Sequence, residues 1–66
     1  MAVAKVIEIT SSSSESFEDA ISKGIAKASE SVRGIRGAYV NEQMVRVKGD
    51  EVVEYRADLK VTFVLE

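Results

Sequence analysis

The run R-A-D-L-K-V-T-F-V-L at positions 56–65 decides the fold. Its residues alternate from Arg56 to Phe63. Ala57, Leu59, Val61, Phe63 and Leu65 fall on one side, and Arg56, Asp58, Lys60 and Thr62 on the other. A period of two marks a strand with one face on a core and one in water. Upstream, K-G-D-E at 48–51 has the residues of a tight hairpin turn. The strand before it, G-A-Y-V-N-E-Q-M-V-R-V-K at 37–48, changes parity partway: Ala38 and Val40 are even, Val45 and Val47 odd. A regular strand would send half of that apolar set to the wrong face. The pattern therefore predicts a bulge or strong bend between Asn41 and Met44.

Further upstream, Phe17, Ala20, Ile21, Ile25, Ala28 and Val32 recur at steps of three and four, with Gly24 in the same stripe. This is one face of an amphipathic helix. Ser12 stands in capping-box spacing to Glu15, and Ser13 is an equally good N-cap. Arg33 then falls in the last turn and Gly34 at the position just past the helix. Before the serines, V-A-K-V-I-E-I-T at 3–10 is a β-branched strand with Ile7 and Ile9 on one face. The order is thus β-α-β-β, an α+β fold in a single domain spanning 1–66. A strand-helix-strand crossover leaves the first two strands parallel, and the hairpin makes the third antiparallel to the second. Placing the third, most apolar strand between them gives a three-stranded antiparallel sheet in order 1-3-2, wrapped around one helix.

Composition removes whole classes of chemistry. The 66 residues contain no cysteine, no histidine, no tryptophan and no proline. Disulfides, thiolate catalysis, zinc fingers and imidazole bases are excluded. The net charge of -2 gives no cationic field for nucleic acid or anionic lipid. No apolar run reaches the roughly 20 residues of a membrane span and no signal-peptide core is visible, so a soluble, cytoplasmic protein is expected. A chain this short has a stability balance near zero on its own. Its two open sheet edges and its charged face Arg56, Asp58 and Lys60 point to assembly with copies of itself.

The remaining candidates for chemistry are few. Glu8, Glu42, Glu54 and Asp58 all lie on strands, where solvated or salt-bridged surface groups are the expectation. A calcium site of oxygen ligands at a subunit junction is the alternative, although no loop has EF-hand spacing. Serines 11–14 have neither a G-x-S-x-G elbow nor a Walker pattern around them, and read as helix caps. Gly34 and Gly37 give a G-x-x-G spacing, but a KH fold needs more elements than this chain has. Phe17 and Phe63 belong to the core by period. Tyr39 falls out of phase with Ala38 and Val40, so it faces away from the helix, where a flat amphipathic ring can stack on a planar ligand or on its symmetry mate. No residue set activates a nucleophile or a proton transfer, so a non-enzyme is expected.

The chain resembles the dodecins. The resemblance is carried by K-V-I-E-I-T-S-S-S at 5–13, E-S-F-E-D-A-I at 15–21, A-x-x-S-V-R-G-I at 28–35, A-Y-V-N-E-Q at 38–43, V-E-Y-R at 53–56 and L-K-V-T-F-V-L-E at 59–66. It implies a hollow homododecamer of 23 symmetry with helices outside. It also implies storage or buffering of riboflavin or FMN, stacked in pairs at two-fold interfaces and shielded from photochemistry. Coenzyme A at three-fold channels and a calcium-binding type are further implications. Two positions depart from the flavin-stacking pattern: Gly37 stands where a tryptophan is usual, and Arg56 where a glutamine is usual. By the resemblance, Tyr39 supplies a displaced stacking surface, and Arg56 and Gln43 supply polar contacts. The alternative is a shell without flavin, with ions such as calcium at its junctions.

Overall fold

The computed structural model describes residues 3–65. The first strand, β1 (Val3–Ser13), leads into α1 (Phe17–Ala28), and β2 (Ile35–Lys48) and β3 (Glu51–Leu65) form the hairpin. The sheet order is β1-β3-β2, with both pairings antiparallel. The alternation of β3 places Ala57, Leu59 and Val61 at zero exposure and Phe63 at 8%. Leu65, in the same row, is about half exposed, because the helix does not extend over it. Buried Ala20 and Gly24 bring α1 down on β1 and β3, with Ile7, Ile9, Ile21, Ile25 and Ile35 closing the core's rim. Gly24 permits the closest approach. A Cβ there would stand 2.9 Å from the Cβ of Ser11. Phe17 sits at the margin and not in the core, meeting Tyr55 edge-on with ring centroids 5.2 Å apart. No described helix is long and apolar enough to cross a membrane.

The helix boundaries differ from the expectation at both ends. Ser11–Ser13 continue the strand, and the N-cap is Ser16, whose hydroxyl accepts from the Asp19 amide at 3.0 Å. Ser13 serves the same turn from below. Its hydroxyl, nearly buried, donates to Asp19 Oδ2 at 2.6 Å and accepts the Glu15 amide at 2.9 Å. At the other end the helix stops at Ala28, with Ser29 as C-cap. The Ser29 hydroxyl takes the Ala26 carbonyl at 2.7 Å, and the amides of Glu30 and Ser31 fall back to i−3 bonds. A serine competing for a backbone acceptor ends the α-helical pattern. Arg33 is therefore outside the last turn, which Lys27 occupies. Gly34 immediately precedes β2 instead of ending α1. Its φ of +77° and the Val64 carbonyl 3.1 Å from its Cβ position leave room for no side chain.

The predicted irregularity of β2 is present, with a register shift between Val40 and Glu42 that leaves Asn41 unpaired. Two further shifts occur, at Ile35/Gly37 and Arg46/Val47. The turn at 48–51 has Gly49 and Asp50 both at positive φ, as a two-residue primed turn demands. The molecule is long and open, with extents of 51 × 19 × 14 Å and a radius of gyration of 13.5 Å. A compact 66-residue domain would have a radius of about 11 Å. The accessible surface is 4941 Å², whereas about 4,100 Å² is usual for a monomer of this mass.

Candidate functional site

The face of the sheet turned away from α1 gathers the polar chemistry. Glu8 pairs with Lys60, Thr10 with Asp58, Glu42 with Asp58 and Met44 with Arg56. Residues directly opposite one another in an antiparallel ladder share a face, so the period of two in β3 carries all of them to one side. Glu8, Thr10, Glu42, Met44, Arg56 and Asp58 line a shallow depression of 330 Å³. Asp58 is its hub, accepting from Asn41 Nδ2 at 3.0 Å and from Thr10 Oγ1 at 3.5 Å.

The electrostatics of this depression are uneven. A hydrogen bond with Asp58, reinforced by the charge of the same carboxylate, pushes Glu8 above the ordinary range. Glu42 adds to the push, while Lys60 opposes it. Asp58 moves the other way, because the Asn41 amide and then the Glu8 carboxyl hydrogen-bond to its ionised form. Glu8 thus keeps its proton longer and Asp58 keeps its charge. Arg56 does not neutralise the pair: its Nη2 donates to Glu54 at 2.9 Å, and Arg46 reaches the same Glu54 oxygen at 3.4 Å.

The four residues singled out in the sequence are not brought together within one chain. Gly37 pairs with Thr62 and Tyr39 with Lys60, so both lie on the open face. Tyr39 is 75% exposed, and a Cβ at Gly37 would meet nothing within 4 Å. Arg56 shares that face but stands four positions along β3 from the partner of Tyr39, roughly 13 Å away. Gln43 pairs with Ala57, on the side that faces the helix. The bulge at Asn41 is the reason: one inserted residue exchanges the odd and even faces, so Tyr39 and Gln43 part company. Glu8 and Asp58 were expected to be solvated or salt-bridged surface groups, or part of a calcium site, and the structure places them side by side. The signal that could have found it was the same alternation, which puts both carboxylates on one face of neighbouring strands. Among the described residues no three Asp, Glu, His or Cys side chains converge into a complete metal site.

These elements define a small α+β protein whose chemistry lies on an exposed sheet face and not in an enclosed pocket. The dodecin family model matches residues 3–66, and the chain belongs to that family. It is similar to the calcium dodecin of Mycobacterium tuberculosis, with 40% identity over 63 residues, 96% of this chain and 89% of that protein. The crystal structure of that calcium-chelating protein aligns with a TM-score of 0.84 at 38% identity, covering 97% of this chain and 91% of the other. A dodecin from Thermus thermophilus aligns with a TM-score of 0.94 at 32% identity, covering 100% and 98%.

Proposed function

We propose that this chain forms a homododecameric shell that sequesters a small ligand on its open sheet faces, and that the ligand is a divalent cation such as calcium. The observation that carries the reading is the Glu8–Asp58 pair, two carboxyl groups side by side in the open-face depression while Arg56 is committed to Glu54. Glu42 and the Thr10 hydroxyl lie in the same depression. These are hard oxygen donors of the kind calcium takes, six to eight at a time. One chain supplies part of such a shell, and water or a neighbouring subunit completes it. The similarity to a calcium dodecin supports the same choice. A bound cation would offset the repulsion that raises Glu8. The activity is storage or buffering and not turnover.

Melting the protein with calcium and with a chelator tests this. Calcium at a hundredfold excess over its Kd adds about 2.7 kcal/mol of stability, read as a higher melting temperature. The gain disappears in the Glu8→Gln, Asp58→Asn variant. An unchanged melting curve for the unaltered protein rejects the reading.

A flavin ligand is the second reading, and the exposure of Tyr39 beside the unobstructed Gly37 favours it. In that case a stacked FMN or riboflavin lies on the Tyr39 ring at a two-fold junction. Arg56 of the same chain is held by Glu54, and Gln43 faces the other way, so polar contacts have to come from a neighbouring subunit. Quenching of FMN fluorescence by micromolar protein, lost in Tyr39→Ala, is the expected result. Undiminished fluorescence rejects it.

A further inference from the structure

Met44 carries the only sulfur among the described residues. The other apolar positions around it on β2 take β-branched side chains, Val40, Val45 and Val47, as a strand favours. Methionine is flexible and usually fills gaps in a core. This one fills none. It is 48% exposed and borders the open-face depression with Glu8, Thr10, Glu42, Arg56 and Asp58. A thioether is only a weak acceptor for such neighbours. Directly across the ladder stands Arg56, at a Cβ separation of about 4.5–5.5 Å in a pair of this kind. Its Nη2 donates to Glu54 at 2.9 Å, and its other guanidinium N–H groups have no hydrogen-bonded partner among the described residues. An accessible, oxidisable sulfur thus faces unused charged donors.

We propose that Met44 is a site of reversible oxidation by peroxide, and that Arg56 holds the sulfoxide that forms. The sulfur lone pair attacks one oxygen of hydrogen peroxide. The O–O bond breaks as the S–O bond forms, sulfur gives up two electrons, and the remaining oxygen leaves as water. The sulfoxide oxygen is a strong acceptor, so it takes an N–H of Arg56 that the thioether could not engage, and a hydrogen bond to a charged donor is among the stronger ones. Oxidation of a methionine in a core disrupts packing. Here the product is polar on a polar face and gains a partner. A sulfoxide reductase reverses the step, removing the oxygen as water while its dithiol closes to a disulfide. Neither calcium nor flavin enters this chemistry, so it stands or falls apart from the ligand.

With no cysteine and only one other methionine, Met1, the test is direct. The folded protein is treated with hydrogen peroxide in the absence of calcium and flavin, and peptide mass spectrometry follows the gain of one oxygen at Met44. Its rate should lie within about tenfold of the rate in denaturant, and a larger protection overturns the site. The oxidised protein should melt above the reduced one, by about 2–4 °C for one modest added interaction in a chain of this size. Reduction by a sulfoxide reductase should return the melting temperature to its starting value. An oxidised protein that melts at or below the reduced one overturns the proposal. Met44→Leu, a volume-conserving exchange, leaves Met1 alone to react and should show no shift, and a shift equal to that of the unaltered protein counts against Met44. Arg56→Gln should lose the rise, whereas a rise kept in full removes Arg56 as the holder. Should Arg56→Gln fail to fold, Glu54→Gln decides: with Arg56 released, the rise should be at least as large, and a smaller one overturns the role of Arg56.

Discussion

Glu8 and Asp58 have opposite leverage on stability. Glu8 is raised above its ordinary 4.5, chiefly by its hydrogen bond with Asp58 and then by the charge of that residue. Its contribution is fully present below pH 4.5 and is lost as pH rises through its folded value. Asp58 is lowered from 3.8 by Asn41 first, so its contribution is present above pH 3.8 and is lost as pH falls through its folded value. In the absence of cation, Glu8→Gln should melt above the unaltered protein near neutral pH, with the gap closing below about pH 4.5. A gap constant across that range would refute the influence of Asp58 on Glu8. Gln43 and Glu8 show how much of the site was legible. The parity change in β2 announced a bulge, and a bulge alone reverses which residues share a face with Tyr39. Gln43 was therefore readable as a helix-side residue. The partnership of Glu8 with Asp58 depends on strand order and register together, which no local run of sequence contains.

At the level of elements, the period-two and period-3.6 patterns were enough for the order β-α-β-β and the sheet order, because each apolar face had only one place to go. The helix ends were not legible in the same way. Eight serines lie from position 11 to position 31, in or beside α1, and each can cap, extend a strand or take a carbonyl. Which one caps is fixed by the sheet: Ser13 is held on the end of β1 and donates to Asp19, leaving Ser16 to cap the helix. Ser16→Ala should cost about 1 kcal/mol, read as a lower denaturation midpoint with an unchanged slope. Gly24→Ala should cost more than its gain in helix propensity returns. The new methyl meets Ser11 Cβ at 2.9 Å and Leu59 Cδ1 at 3.3 Å. Overpacking costs about 1–3 kcal/mol, against roughly 1 kcal/mol gained by alanine over glycine in a helix. Gly24→Ala, Ser11→Gly should recover most of the loss, which a simple propensity effect would not.

For the whole molecule, the core that one chain buries is small. Among the described residues, only Leu59 and Val61 are large side chains fully buried by the single chain, while Tyr39, Val40, Met44, Val45 and Val47 on β2 remain exposed. Much of that surface lies on the half of the hairpin that reaches beyond α1, which explains a radius of gyration of 13.5 Å where about 11 Å is usual. A monomer of this shape would have a stability margin near zero, so the proposed shell would couple association to folding. Coupling of this kind makes the melting temperature rise with protein concentration. Leu59→Ala sharpens the point. Its loss of about 2–5 kcal/mol exceeds the margin of an isolated chain, whereas Leu59 is fully buried within that chain and is out of reach of a neighbour in the proposed shell. The variant should be unfolded by circular dichroism at low concentration and recover its signal as concentration rises, whereas the unaltered protein stays folded over the same range. A melting temperature independent of concentration in both proteins would mean that the single chain carries its own stability, and that the long overhang of β2 and β3 is held by the sheet alone.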